Sequence, residues 1–328
     1  MSGNHNQDLN TAKKIINESA KAGVDAIKLQ TYTADTMTID SDNKYFQVNV
    51  NKKWKGKTLY KLYKWAYTPW EWHKDLKEYA ESKGLIFFST PFDETAVDFL
   101  EGLNVQLYKV ASFEINHIPL LKKIANTNKP VIISRGVSSE SDIDLAVKKL
   151  KENGCPAVAV LHCVSSYPAA PEQMHLKTIA DISKRFGVIS GLSDHTLGTE
   201  IAIAAVSLGA KIIEKHVTLS RGDGGPDAAF SLEPKEIKKL VSSIRTVEKA
   251  LGKVNYKISK KEAENIIFKR SVFVVKDIKK DEKFNKDNIR VIRPGYGLHP
   301  KFYEKVIGKK ARRYLKIGEP LKKEDVNQ

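Results

Sequence analysis

Two histidines set the first chemical question. His195 ends the segment GLSDH and His216 ends IIEKH, 21 residues apart (216 minus 195). Gly187 to Leu192 reads as a strand, Thr199 to Leu208 as a helix stopped by Gly209, and Lys211 to Glu214 as a second strand. Two neighbouring parallel strands would then each carry an imidazole at the carboxyl end, where α/β barrels build their sites. Such a pair suits a divalent metal. It equally suits two histidines hydrogen-bonded in a polar layer at the strand ends.

The elements that must position this pair recur along the chain. Ala12, Ile15, Ile16 and Ala20 follow helical spacing after a capping Asp8 or Asn10, and Gly23 ends that helix. Strands are predicted at 25–29, 85–89, 107–111, 131–134 and 158–163, each with polar residues after it. Helices are predicted from near Pro69 to Ser82, at 93–100, 117–126 and 139–152, near 175–185 and at 233–251. Seven strands alternating with eight helices argue for an α/β fold, a TIM (β/α)8 barrel lacking its first strand. SGNHN (2–6) reads as a loop that follows such a strand. Residues 35–66 form a long polar and aromatic insertion that leads into TLYKLYKWAYTPWEWH (58–73). That stretch fits either a lid over the site or a hydrophobic staple under the next helix.

After Gly252 the pattern changes. Residues 253–268 read as a lysine-rich linker, and 269–328 as a small β-rich domain with strands at 271–275 and 289–292 and a rigid loop, Arg293-Pro294-Gly295-Tyr296-Gly297. The 328 residues thus divide into a barrel domain (1–252), the linker and the small domain.

Composition narrows the class. The formal charge of +16 is carried by lysines spread over helix faces, as in KKLKEN (148–153), with no nucleic-acid-binding motif, so no nucleic-acid partner is expected. The excess charge can draw in a small anion. No apolar run reaches the length of a membrane span, no signal-peptide segment opens the chain, and Cys155 and Cys163 fit a reducing compartment. The expectation is a cytoplasmic protein without membrane contact.

Eight motifs taken together resemble the sialic acid synthase family: SGNHN, KLQ, FFSTPFD, YKVASFE, HCVSSYP, GLSDHT, EKH and, in the small domain, RPGYG. Within the family, LYKLYKWAYTPWEWH, PFDETAVDFLE and TLSRGDGGPDAAFSLEP are most like the branch that makes pseudaminic acid. The resemblance implies an enzyme that condenses phosphoenolpyruvate with a 2,4-diacetamido-2,4,6-trideoxy sugar, with neuraminate or legionaminate synthesis as the alternative. It implies that His195 and His216 hold manganese or magnesium. Lys28, Lys109, Thr90, Ser112, Ser134 and Ser193 match the shell around the phosphate and carboxylate of phosphoenolpyruvate. Ser165 stands where neuraminate synthases more often carry asparagine. Gln30, Glu114, Tyr167 and Asp227 match positions lining the sugar. Arg293 matches an arginine reaching from the SAF (antifreeze-like) domain into the partner's site, which implies a domain-swapped homodimer.

The family also has a strand before SGNHN that ends in Ala-Glu, with the glutamate catalytic. Met1 directly precedes Ser2 here, so the expectation is that Met1 is internal and the natural gene starts upstream. Arg135 replaces the family's usual threonine, an added cation expected to tighten anion binding or to block it. A non-catalytic sugar- or phosphate-binding relative is the competing class; a binder has less need of the histidine pair and lysines than an enzyme.

Overall fold

The computed structural model describes residues 1–49 and 55–327, in two compact units, Met1–Gly252 and Lys253–Gln328. In the first unit seven parallel strands run in the order β1 to β7, each paired with its sequence neighbours, in a curled half-barrel. They are β1 (Ala26–Thr31), β2 (Ile86–Pro91), β3 (Tyr108–Val110), β4 (Val131–Arg135), β5 (Val158–Cys163), β6 (Ile189–Asp194) and β7 (Ile213–Lys215). All six residues of β5 are buried, as expected for a parallel strand covered on both faces.

Helices return the chain between strands: α1 (Leu9–Ala22), α4 (His73–Ser82), α5 (Glu94–Gly102), α6 (Ile118–Ala125), α7 (Glu140–Glu152), α8 (Thr178–Phe186), α9 (Glu200–Ser207) and α10 (Pro234–Leu251). Their starts follow from the sequence. Asp8 accepts from the amides of Asn10 and Thr11, Asp93 from those of Thr95 and Ala96, and Ser139 forms a reciprocal capping box with Asp142. Gly23 and Gly187 stop α1 and α8 in the left-handed conformation that other residues adopt at a cost. One core runs behind the sheet through Ile15, Ile16, Leu76, Phe87, Leu100, Leu120, Ile124 and Leu150.

The insertion between β1 and α4 holds two further helices, α2 (Ala34–Met37) and α3 (Leu59–Ala66), and its residues 50–54 lie outside the described residues. Its aromatic stretch does two jobs. Trp70 stacks on Phe99 at 4.7 Å and donates from Nε1 to the Tyr32 carbonyl, and Trp72 packs edge-on to His5 at 5.5 Å, so this end is a staple under α4. Tyr63, on α3, instead meets Tyr32 with ring centroids 5.8 Å apart.

In the second unit, residues 253–268 are not featureless. They carry α11 (Lys260–Ala263) and a 3-10 turn over 264–268, both exposed. Beyond them β8 (Ser271–Val274) pairs antiparallel with β9 (Ile289–Ile292), and a short α12 (Tyr303–Val306) follows. Val272, Val274, Ile278, Phe284, Ile289, Leu315 and Leu321 form this unit's own core. No helix among the described residues is long and apolar enough to cross a membrane.

Candidate active site

The site follows from one rule of strand geometry: alternate residues share a face. Thr31 turns toward the helices, where its hydroxyl meets His73 Nε2 at 2.9 Å, so Lys28 and Gln30 face the other way. Lys28 Nζ lies 3.5 Å from Thr90 Oγ1 and 3.4 Å from Glu214 Oε1. Ser193 Oγ donates to the same carboxylate at 3.3 Å. Lys109, 1% exposed, donates to the Val110 carbonyl at 2.8 Å and to Ser134 Oγ at 2.5 Å. Ser112 and Ser165 join their hydroxyls at 3.0 Å. A Cβ on Gly136 would lie 2.1 Å from Ser165 Oγ and 2.9 Å from Ser112 Oγ, so only glycine lets the β4–α7 loop close over these two hydroxyls. Two cations and a fan of hydroxyls at adjacent strand ends are a set that can cradle a small polyanion.

Electrostatics matches that use. Burial lowers Lys109 to about 8, offset in part by Glu214. Burial alone would raise Glu214, but Lys109, Lys28 and His195 overcome it and hold the carboxyl at about 2. Glu214 is therefore a standing counter-ion to both lysines. It was not among the residues singled out in the sequence, although its position two before His216 places it on that histidine's face.

The histidines stand beside this cradle, with ring centroids 5.4 Å apart. His195 Nδ1 lies 3.0 Å from the Val164 carbonyl, which can only accept; the ring's proton is on Nδ1 and the lone pair on Nε2. His216 Nδ1 is buried with no hydrogen-bond partner among the described residues, and Asp227 Oδ2 stands 3.7 Å from it. Burial lowers the pKa of both rings, that of His216 well below its ordinary value, and raises that of Asp227. Neutral imidazoles with an orphaned buried nitrogen fit a divalent metal. Among the described residues no group of three or more His, Cys, Asp or Glu could hold one, so the protein's share would be two imidazoles, with the other positions left to small ligands.

Aromatic rings close around the pair. Tyr167 lies 4.6 Å from His195, and Phe230 lies 5.2 Å from Tyr167 and 5.1 Å from His216. Asn4 ties the loops together: its amide donates to the Val217 carbonyl and to Ser231 Oγ, and its carbonyl accepts from the Asp227 amide at 3.2 Å. Glu114 sits past β3, its pKa raised to about 7 by burial. Gln30 pairs in register with Thr90.

Arg135 follows Ser134 on β4, so alternation turns it away from the cradle, alongside its register partner His162. His162 Nε2 bonds the Met174 carbonyl at 2.6 Å. Arg293 is exposed on the second unit. Its loop is fixed locally: Ser271 Oγ donates to the Pro294 carbonyl at 2.6 Å and accepts from the Gly297 amide at 2.8 Å. A Cβ on Gly297 would come within 2.2 Å of the Val272 carbonyl.

The sequence pattern of the NeuB family matches residues 15–256, and that of the SAF domain matches 269–327. This chain belongs to the NeuB family. Among NeuB relatives, the pseudaminic acid synthase of Campylobacter jejuni is 41% identical over 99% of this chain and 94% of its own length. The N,N'-diacetyllegionaminic acid synthase of the same organism is 38% identical over 97% of this chain and 96% of its own. The crystal structure of the N-acetylneuraminic acid (sialic acid) synthetase of Leptospira borgpetersenii, in complex with citrate, matches with a TM-score of 0.71 at 36% identity. The match covers 80% of this chain and 87% of that one.

Proposed function

We propose that this NeuB-family chain is a pseudaminic acid synthase. It would condense phosphoenolpyruvate with 2,4-diacetamido-2,4,6-trideoxy-L-altrose to give pseudaminic acid and phosphate. The observation that carries the reading is the polyanion cradle of Lys28, Lys109, Ser112, Ser134, Ser165 and Ser193, set beside the His195–His216 pair. The similarity to the Campylobacter jejuni pseudaminic acid synthase supports the choice of sugar.

Phosphoenolpyruvate brings about three negative charges near pH 7, and the lysines and hydroxyls are already placed to receive them. His195 and His216 would hold manganese or magnesium, which when bound polarises the sugar aldehyde as a Lewis acid. Carbon C3 of phosphoenolpyruvate bonds to the aldehyde carbon, whose oxygen takes a proton and becomes a hydroxyl. Water adds at C2, and the resulting tetrahedral carbon expels phosphate to leave a ketone. Glu114, Tyr167, Gln30 and Asp227 line the sugar side, and the lysines hold the charge as it moves onto the departing phosphate.

Legionaminic acid synthesis is the second reading, supported by the 38% identical relative. The test is to offer phosphoenolpyruvate with each candidate sugar, follow phosphate release and identify the nine-carbon product. Phosphate release with none of them, alongside retained phosphoenolpyruvate binding, would leave a non-catalytic binder.

The reading extends to a domain-swapped homodimer in which Arg293 serves the partner's site. Its exposed guanidinium on a locally braced loop suits a carbonyl acceptor. Mixing Arg293→Ala chains with His195→Ala chains should regenerate activity, because one mixed site keeps both residues. Heterodimers that form and stay inactive would place Arg293 outside the partner's chemistry.

A further inference from the structure

The NeuB reading leaves the aromatic helix α3 without a task, although it stands at the end of the strands that carry the site. Lys28 and Gln30 share one face of β1, and Tyr32 continues the series beyond the strand. Thr90 and Phe92 do the same on β2. Tyr32, 4% exposed, packs edge-on against Phe92 at 5.1 Å and against Tyr63 of α3 at 5.8 Å. The three rings make an apolar rim one step further out than Gln30 and Thr90.

We infer that this rim, with Tyr63 as its exchangeable member, is the specificity determinant for the deoxygenated end of the sugar, giving the methyl group at the carbon farthest from the aldehyde an aromatic surface. The inference rests on the proposed synthase reading and deepens it.

Distances along the strand set how far the sugar reaches. Two residues of a strand advance about 6.6 Å, so Gln30 stands that far beyond Lys28, and Tyr32 as far again. An extended six-carbon chain spans roughly 6 Å, from five carbon–carbon bonds of about 1.5 Å. With phosphoenolpyruvate at the level of Lys28, a sugar reaching outward brings its last carbon to about the level of Gln30, next to the rim that begins one step further out. The rim is also close to the sugar-lining carboxylates. Burial first, and then Glu114, raises the Tyr63 phenol; burial and then Asp227 raise that of Tyr32. Neither phenol ionises near neutral pH, so both rings present neutral faces.

Tyr63 is the member free to vary. Its helix is anchored without it: Leu62 is buried, and the Tyr60 hydroxyl donates to Asp35 of α2 at 3.2 Å. Tyr32, by contrast, is fixed by the Trp70 bond to its carbonyl and by nearly complete burial. A hydroxyl in place of a methyl hydrogen would give up water to lie against the ring faces, a discrimination on the order of 10- to 100-fold in an apolar pocket.

The test compares two sugars that differ only at that carbon, the 2,4-diacetamido-2,4,6-trideoxy hexose and its 6-hydroxy counterpart, in the full chain and in Tyr63→Ser and Tyr63→Phe. The wild type should prefer the deoxy sugar in kcat/KM by on the order of 10- to 100-fold. Tyr63→Ser should cut that ratio by about tenfold and leave the KM for phosphoenolpyruvate and the melting temperature near wild type, whereas Tyr63→Phe should keep the ratio within about threefold. A Tyr63→Ser chain that loses activity equally on both sugars, or keeps the wild-type ratio, overturns the inference while leaving the synthase reading intact. A wild type that condenses neither sugar overturns both.

Discussion

Glu214 Oε1 lies 3.4 Å from Lys28 Nζ, inside the cradle that the NeuB reading assigns to an incoming anion. The same carboxylate raises the pKa of the buried Lys109, which burial lowers to about 8. An anion bound at Lys109 needs the protonated amine. The affinity for phosphoenolpyruvate, or for inorganic phosphate as a probe, should therefore hold below pH 8 and fall above it. Calorimetric titrations from pH 6 to pH 10 measure this limb. In Glu214→Gln the support for the ammonium is gone, so the limb should move to lower pH. An unchanged limb would mean that Lys109 does not hold the anion.

Glu114 titrates in the opposite sense to an ordinary surface carboxylate. Burial raises it to about 7 from an ordinary 4.5, so the folded state holds a proton that the unfolded chain has lost. Its contribution to stability is fully present below pH 4.5 and declines as the pH rises to 7. Glu114→Gln removes the buried charge and should stabilise the chain at pH 8, by on the order of 2 kcal/mol after allowance for solvent screening. The gain should shrink as the pH falls from 7 toward 4.5. Thermal melts of both chains across that range decide it, and a gain independent of pH would reject the assignment.

Gly136→Ala tests the closed loop over Ser112 and Ser165. The added methyl would overlap Ser165 Oγ at 2.1 Å and Ser112 Cβ at 2.7 Å, so loop and hydroxyls must part. Overpacking of this kind costs about 1–3 kcal/mol, and a displacement of about 1 Å in a positioning group costs on the order of 100-fold in rate. The expected result is a folded chain with kcat/KM for phosphoenolpyruvate reduced on that scale. Wild-type kinetics in Gly136→Ala would show that the anion sits elsewhere.

How much of this was legible in the sequence depends on the distance over which each signal acts. Strand and helix order followed from local periodicity and caps, and β5 and its neighbours fall within a few residues of their expected bounds. The His195–His216 pair was visible because both end strands of one local unit. Glu214 and Asn4 were not, because their meaning comes from partners far away in sequence: Lys28 for the first, Val217 and Ser231 for the second. Helix α3 was hidden in an aromatic stretch whose composition fits lid and staple alike; the structure packs the stretch's Trp70 end as a staple and sets Tyr63 against Tyr32.

The histidine pair makes a direct prediction for metal. His195 Nε2 carries a lone pair, and His216 Nδ1 has no hydrogen-bond partner among the described residues. Manganese should bind the wild-type chain in a calorimetric titration at pH 7.5, and His195→Ala should lose that binding while keeping its circular dichroism spectrum. Chelation should stop turnover in the wild type. Equal manganese binding in both chains would separate the pair from any metal.

Arg135 is the residue where sequence and strand geometry point in different directions. As a cation next to Ser134 it was expected either to strengthen the anion site or to block it. The alternation of β4 instead sends it toward His162, whose pKa is lowered by burial and, after that, by Arg135. Ser134 and Lys109 keep the cradle on the opposite face, so the guanidinium has no direct path to it. Arg135→Thr should therefore change the KM for phosphoenolpyruvate by less than about threefold, as for substitutions outside the contact set. It should raise the His162 pKa, because the repelling charge is gone while the Met174 bond remains. Imidazole proton chemical shifts followed against pH read the second effect independently of activity. A loss of more than about tenfold in phosphoenolpyruvate affinity, with the His162 titration unmoved, would place Arg135 on the substrate side of β4 and reverse the facing argued here.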